Sequence, residues 1–269
     1  MPIQEAAAAV AGQLLYVTGG YDANTNSSSA VFDFDGSSWH TAPSLPIAVN
    51  HPGAAAIGTT IYVAGGFTPE GATNRAFELT RGAASWQELP SLHHARGALA
   101  LIAIRGRLYA IGGRDGSSQV APTETFDPRA GAWRDLPDMP APRNHVAGYR
   151  DGVDACVAGG RTPATSSAID CLDPRADAWT ARGALPSGTS GAAGALLQGV
   201  LVVAGGENSD ETGITPDVQM FAGGAWTAKP MLVPRHGTAF AVYRGRLWMC
   251  GGATAPGFHA VSTCTSLVP

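Results

Sequence analysis

Six times along the chain an apolar run ends in two consecutive glycines: LLYVTGG at 14–20, IYVAGG at 61–66, LYAIGG at 108–113, ACVAGG at 155–160, LVVAGG at 201–206 and LWMCGG at 247–252. The first glycines stand at 19, 65, 112, 159, 205 and 251, giving steps of 46, 47, 47, 46 and 46. A tryptophan follows 20 or 21 residues later in five copies, at Trp39, Trp86, Trp133, Trp179 and Trp226. A period this regular outranks any local propensity, because a unit of that length cannot bury both its faces and must stack on its neighbours.

Each unit reads as four short strands. The first is rich in small residues (Gly97 to Ile104, Thr238 to Tyr243), and the second is the apolar run into the glycines. The third alternates, as in Thr123 to Phe126, and the fourth starts at the tryptophan. Asp115-Gly116, Asp127-Pro128 and Asp173-Pro174 supply turns between them. One stretch conflicts: the alanines between Glu5 and Leu15 suit a helix. The repeat register makes them a first strand. Four antiparallel strands repeated radially define an all-β, six-bladed β-propeller. Its blades run over approximately 1–46, 47–93, 94–140, 141–186, 187–232 and 233–269, one domain over 1–269. The sixth unit stops at Pro269 without a tryptophan strand, so that blade lacks its outer strand.

The glycine pair, the strand aromatic (Tyr16, Tyr62, Tyr109, Trp248) and the spaced tryptophan resemble kelch repeats over essentially the whole chain. Cys156 and Val202 replace the aromatic in the fourth and fifth units. No Trp-Asp dipeptide, the mark of the other common propeller repeat, occurs. In kelch-like propellers one blade is usually shared between the chain ends. Met1-Pro2 aligns with Met139-Pro140, which closes an earlier unit, so a trimmed chain is expected. The compartment stays open, secreted or cell-surface included, although the N-terminus has no signal-peptide pattern. The net charge of -4 gives no general attraction for nucleic acid. No apolar run approaches the ~18 residues of a membrane span.

Strand period selects the residues that face the central channel. Counting back from the first glycine, position -12 holds Ala7, Gly53, Ala100, Ala147, Ala193 and Ala239, all small, as converging strands require. Residues two apart share a face. Position -14 (Glu5, His51, Ala98, His145, Gly191, Gly237) and position -16 (Ile3, Val49, Arg96, Arg143, Thr189, Arg235) are therefore expected in the channel and at its mouth. The residues after the glycine pairs emerge on the same side: Tyr21, Phe67, Arg114, Arg161, Glu207 and Ala253. Glu207 opens an acidic loop with Asp210 and Glu211. Arg96, Arg143, Arg235, Arg114 and Arg161 would then share one rim, and a guanidinium donates two parallel hydrogen bonds to carboxylate or phosphate. The kelch resemblance implies a binding role for Arg96, Arg143 and Arg235, since arginines at that position hold acidic peptides in some relatives. Pairing with neighbouring Asp or Glu is the alternative for those three, and plain solvation is the alternative for Arg114 and Arg161.

His51 and His145, with Glu5, are a possible metal set. They belong to the second, fourth and first blades and need not converge, so hydrated channel histidines are the expectation and neither a metal nor a cofactor is called for. His93-His94 are adjacent and, on a strand, point to opposite faces. Cys156 with Cys171 and Cys250 with Cys264 lie on the second and third strands of two blades. Their positions relative to the local glycine sum to +9 and +12, so at most one pair is expected to be directly opposed, and buried thiols are favoured over disulfides.

These features favour a binding module whose arginine-rich mouth takes an acidic peptide or an anionic small molecule. The runner-up is an enzyme resembling the kelch-like sugar-acid mutarotases, with arginines on the carboxylate and Glu207 or His145 moving the proton. A copper radical oxidase is excluded, because every cysteine lies on a second or third strand away from the mouth. A third reading is a structural domain that self-associates through the sixth-blade edge strand.

Overall fold

The computed structural model describes residues 1–208 and 212–269; Asp210 and Glu211 of the acidic loop lie outside them. Among the described residues six antiparallel blade sheets follow one another along the chain, besides two small two-stranded hairpins at 67–72 and 114–119, and each innermost blade strand starts at position -12. Innermost strands are Ala7–Ala11, Gly53–Ile57, Ala100–Ile104, Ala147–Asp151, Ala193–Leu197 and Ala239–Tyr243. The alanine-rich N-terminal stretch is thus a strand. Register overrides helix propensity there, because Ala7–Ala11 pairs residue for residue with Leu14–Thr18. Five sheets have four strands; the sixth has three and ends on the edge strand Cys264–Leu267. The molecule is a six-bladed kelch-type β-propeller.

Packing explains the repeated aromatics. Tyr16, Tyr62 and Tyr109 are buried between blades, and Cys156 and Val202, equally buried, take the same place in the fourth and fifth. The tryptophan staples neighbouring blades: Trp86 Nε1 donates to Pro43 O (2.7 Å), Trp133 to Pro90 O (2.8 Å) and Trp179 to Pro137 O (3.1 Å). Trp39 faces the sixth blade, which has three strands among the described residues. It stacks on Phe34 at 5.1 Å and is 41 % exposed.

The glycine pair recurs because it is where each blade grips the next. The second glycine of every pair donates its N–H to the position -16 carbonyl of the following blade, from Gly20 to Val49 O (2.8 Å) through to Gly252, which closes the ring on Ile3 O (2.8 Å). A side chain cannot be added. At Gly112, with φ +65°, a Cβ would lie 2.5 Å from Arg143 O, and at Gly113 one would lie 2.8 Å from Gly97 O.

Both cysteine pairs are disulfides, which corrects the sequence expectation. Cys156 stands directly opposite Cys171 and Cys250 opposite Cys264, each with Cα atoms 4.0 Å apart. The difference in index sums is absorbed by the loops. Gly159 N–H bonds the Ala168 carbonyl nine residues on, whereas Gly251 N–H bonds Thr263, twelve residues on.

Candidate functional site

The site starts from a backbone feature. All six position -14 residues adopt left-handed backbone, with φ between 51° and 65°: Glu5, His51, Ala98, His145, Gly191 and Gly237. Four carry side chains, and that conformation is uncommon for them and often marks a functional site. Their peptides form a closed ring. His51 N–H donates to Glu5 O, Ala98 to His51, His145 to Ala98, Gly191 to His145, Gly237 to Gly191 and Glu5 to Gly237, at 2.7 to 2.9 Å. This girdle closes the channel end nearest the mouth. Below it lie a small cavity of about 80 Å³ and the alanine-lined channel, of about 330 Å³, which share Pro52, Leu99, Val146 and Phe240 in their walls.

The left-handed turn also corrects the arginine rim. Position -14 lies outside the strand, so period-two alternation stops at -12 and the -16 side chains turn into the blade instead of the mouth. Arg96, Arg143 and Arg235 are at most 1 % exposed. Each donates to the first glycine carbonyl of its own blade: Arg96 to Gly112 O (3.1 Å), Arg143 to Gly159 O (2.6 Å) and Arg235 to Gly251 O (2.9 Å). Arg96 also pairs with Glu124 at 2.7 Å and Arg143 with Asp170 at 2.9 Å. Their ligands are internal, so they present no surface to an outside molecule.

Position -15 is the column that strand alternation passes over. In every blade it forms a two-way backbone bridge with the residue after the glycine pair: Gln4 with Tyr21, Asn50 with Phe67, Gly97 with Arg114, Asn144 with Arg161, Ser190 with Glu207 and His236 with Ala253. These bridges fix the mouth side chains over the girdle. A recurrent polar residue beside the channel column was the available signal.

Side chains from several blades meet there. Glu5 Oε2 lies 3.3 Å from His51 Nε2, and the His51 and His145 rings meet edge to face at 4.9 Å. Arg161 contacts His145 Nε2 at 3.3 Å and pairs with Glu207 at 3.0 Å. His236 Nδ1 sits between Glu207 Oε1 (3.4 Å) and Glu5 Oε1 (3.5 Å), an ionic contact too long for a normal hydrogen bond. Glu5, His51 and His145, which their places on three blades did not require to meet, converge, with ligand atoms within 4.8 Å of one another. Tyr21 and Phe67 pack edge-on against His51, and the Arg114 guanidinium stands 5.2 Å over Phe67. Phe258 joins through Tyr21 at 5.0 Å.

Burial works against the charge on Glu5, but His51 and His236 outweigh it and hold the carboxyl well below the usual carboxylate range. Burial pushes His51 and His145 down, the latter furthest. It opposes charge on His236 as well, yet Glu5 and Glu207 prevail and raise its pKa.

Away from the mouth, His93 and His94 both face Asp135, at 2.8 and 3.7 Å. They do not point apart, because they lie in a loop where strand alternation does not apply.

Fold and site together define a six-bladed kelch propeller with a polar, charge-dense mouth. The sequence matches the KLHDC2/KLHL20/DRC7 Kelch-repeats domain over residues 5–206, and the chain belongs to the kelch-repeat family. Among solved structures, that of YjhT is similar, with a TM-score of 0.89 at 16 % identity over 100 % of this chain and 95 % of that one. This likeness establishes the shared fold. No curated protein matches the chain in sequence.

Proposed function

We propose that this propeller binds a small carboxylate- or phosphate-bearing molecule, or the acidic end of a peptide, at the channel mouth through Arg114 and Arg161. The observation that carries this reading is Arg114, whose Nε is buried without a hydrogen-bond partner: a donor left unanswered beside Phe67. Charge supports it. Arg114 and Arg161 bring positive charge to the mouth beside Glu5 and Glu207, with His236 between the two carboxylates. Tyr21, Phe67 and Phe258 give the ligand an apolar wall.

Calorimetry against acidic sugars, phosphorylated compounds and acidic peptides tests this. Arg114→Ala and Arg161→Ala should each weaken binding about 10- to 100-fold, the range of a charge-assisted hydrogen bond. Arg107→Ala, which removes an exposed pair with Asp127, should leave affinity unchanged. Wild-type affinity in both mouth variants would sink the reading.

A sugar-acid mutarotase is the second reading, favoured by the imidazole of His236 lying between two carboxylates, a group able to pass a proton in either direction. Anomer exchange followed by NMR on any sugar acid that binds decides it: turnover should vanish in His236→Gln while binding survives.

The sixth-blade edge favours self-association. A cavity of about 340 Å³ lined by Met1, Ile3, Phe32, Trp39 and Cys264 lies beside the exposed Trp39. Sedimentation should show a dimer that Trp39→Lys and Ser266→Pro abolish; a monomer at all concentrations speaks against it.

A further inference from the structure

We propose that Glu5, His51 and His145 form a binding site for one divalent transition-metal ion of the zinc class, seated at the channel mouth over the backbone girdle. This goes beyond the anion reading and does not depend on it.

The first support is the donor set. Two imidazole nitrogens and a carboxylate oxygen come from three blades, held by the girdle within 4.8 Å of one another. A tetrahedral ion with bonds of ~2.1 Å would bring them to ~3.4 Å, a contraction within reach of side-chain rotation.

The second is the orientation of both rings. His51 Nδ1 lies 2.6 Å from Asn50 Oδ1, and His145 Nδ1 makes the same contact with Asn144 Oδ1. The amides cannot be turned round, because their nitrogens are spent elsewhere. Asn50 Nδ2 donates to Ser27 Oγ and Phe67 O, and Asn144 Nδ2 to Gln119 Oε1 and Arg161 O. An amide oxygen only accepts, so each Nδ1 carries a proton and each Nε2 is the ring nitrogen left to ligate. Outer partners fix the tautomer of metal-bound histidines in this way. The device occurs twice, on the two histidines of this set.

Third, His51 Nε2 faces the Glu5 carboxylate at 3.3 Å, a nitrogen and an oxygen that one metal ion would hold together. Fourth, there is room. Ala98, Gly191 and Gly237 leave the rest of the girdle without bulky side chains. Three protein ligands with open positions make an exchangeable site. Entry of the ion displaces the Arg161 contact to His145 Nε2, while Arg161 keeps Glu207.

The test is calorimetric titration of the chelator-treated full chain with ZnCl2, repeated with CoCl2 for its absorption spectrum. One ion per chain is expected. Glu5→Gln, His51→Asn and His145→Gln should each weaken binding by at least tenfold, and Asn50→Leu or Asn144→Leu by about 10- to 100-fold. His51→Asn is chosen because asparagine tolerates the left-handed backbone. The exposed His93, His94 and Asp135 cluster is the competing site, and His93→Ala/Asp135→Ala should not alter affinity. Should a girdle variant misfold, NMR of the wild-type histidines replaces it: zinc must shift the Nε2 signals of His51 and His145. No uptake by the folded wild type, unaltered affinity in the folded Glu5 and His51 variants, or shifts confined to His93 and His94 would each overturn the proposal.

Discussion

Replacing Glu124 by alanine should destabilise the propeller by about 3–5 kcal/mol, the range for removing one partner of a buried ion pair. Both Arg96 and Glu124 have no accessible side-chain surface, and they meet at 2.7 Å. Glu124 Oε2 also accepts from His93 N–H at 2.6 Å, and Oε1 from His94 N–H at 3.2 Å, so one carboxylate ties the third blade to the loop that leads into it. Without it the guanidinium stays buried beside two carbonyls, with only the more distant Asp135 as countercharge. Urea unfolding of Glu124→Ala, Arg96→Met and the double Arg96→Met/Glu124→Leu measures the coupling. The double variant should recover most of the loss, because apolar groups of similar volume need no partner. A single-variant loss below ~1 kcal/mol would show that water reaches the pair.

That result would also decide what the opening arginine of each repeat is for. In this chain the position -16 side chain bonds the first glycine carbonyl of its own blade whether it is Arg96, Arg143, Arg235 or the neutral Thr189, whose Oγ1 donates to Gly205 O at 2.9 Å. The shared element is the hydrogen bond, and the charge is answered locally where an acidic residue stands opposite. In the proposed function the ligand contacts then fall to the residues after the glycine pairs, above all Arg114 and Arg161.

The fold was legible because one local signal satisfied two demands at once. A glycine pair with positive φ and no room for a Cβ cannot be replaced without moving the next blade, so the pair recurs at every blade junction. The six small residues at -12 were legible for a similar reason. The site was legible only in part. Tyr21, Phe67, Arg114, Arg161 and Glu207 follow from strand topology, and the structure brings them to the mouth. Alternation could not follow the chain through the left-handed residue at -14, which turned Arg96, Arg143 and Arg235 inward. Nor could it show that blades one, two and four converge on one point, because the girdle that gathers Glu5, His51 and His145 is made of backbone bonds. His236 was missed because its column read as the wrong face of a strand.

The disulfides escaped a register argument that assumed nearly constant loops, and they carry the other large expectation. Closing a loop of about 15 residues stabilises a fold by ~3 kcal/mol through the unfolded chain, so removing both bridges should lower stability by about 4–6 kcal/mol. For a chain of this size that is a fall in Tm of roughly 10–20 °C. Differential scanning calorimetry of Cys156→Ala/Cys171→Ala, Cys250→Ala/Cys264→Ala and the combined variant checks it. The two bridges should also differ in reactivity. Cys156 and Cys171 are 0 % and 2 % exposed inside a four-stranded blade, out of reach of a reductant until the blade opens. Cys264 lies on the unpaired edge of the three-stranded blade and is partly exposed, so mild reductant should open Cys250–Cys264 first and raise hydrogen exchange along residues 264–267. Native protein titrating as four free thiols, with a Tm indifferent to reductant, would reduce both pairs to apolar packing.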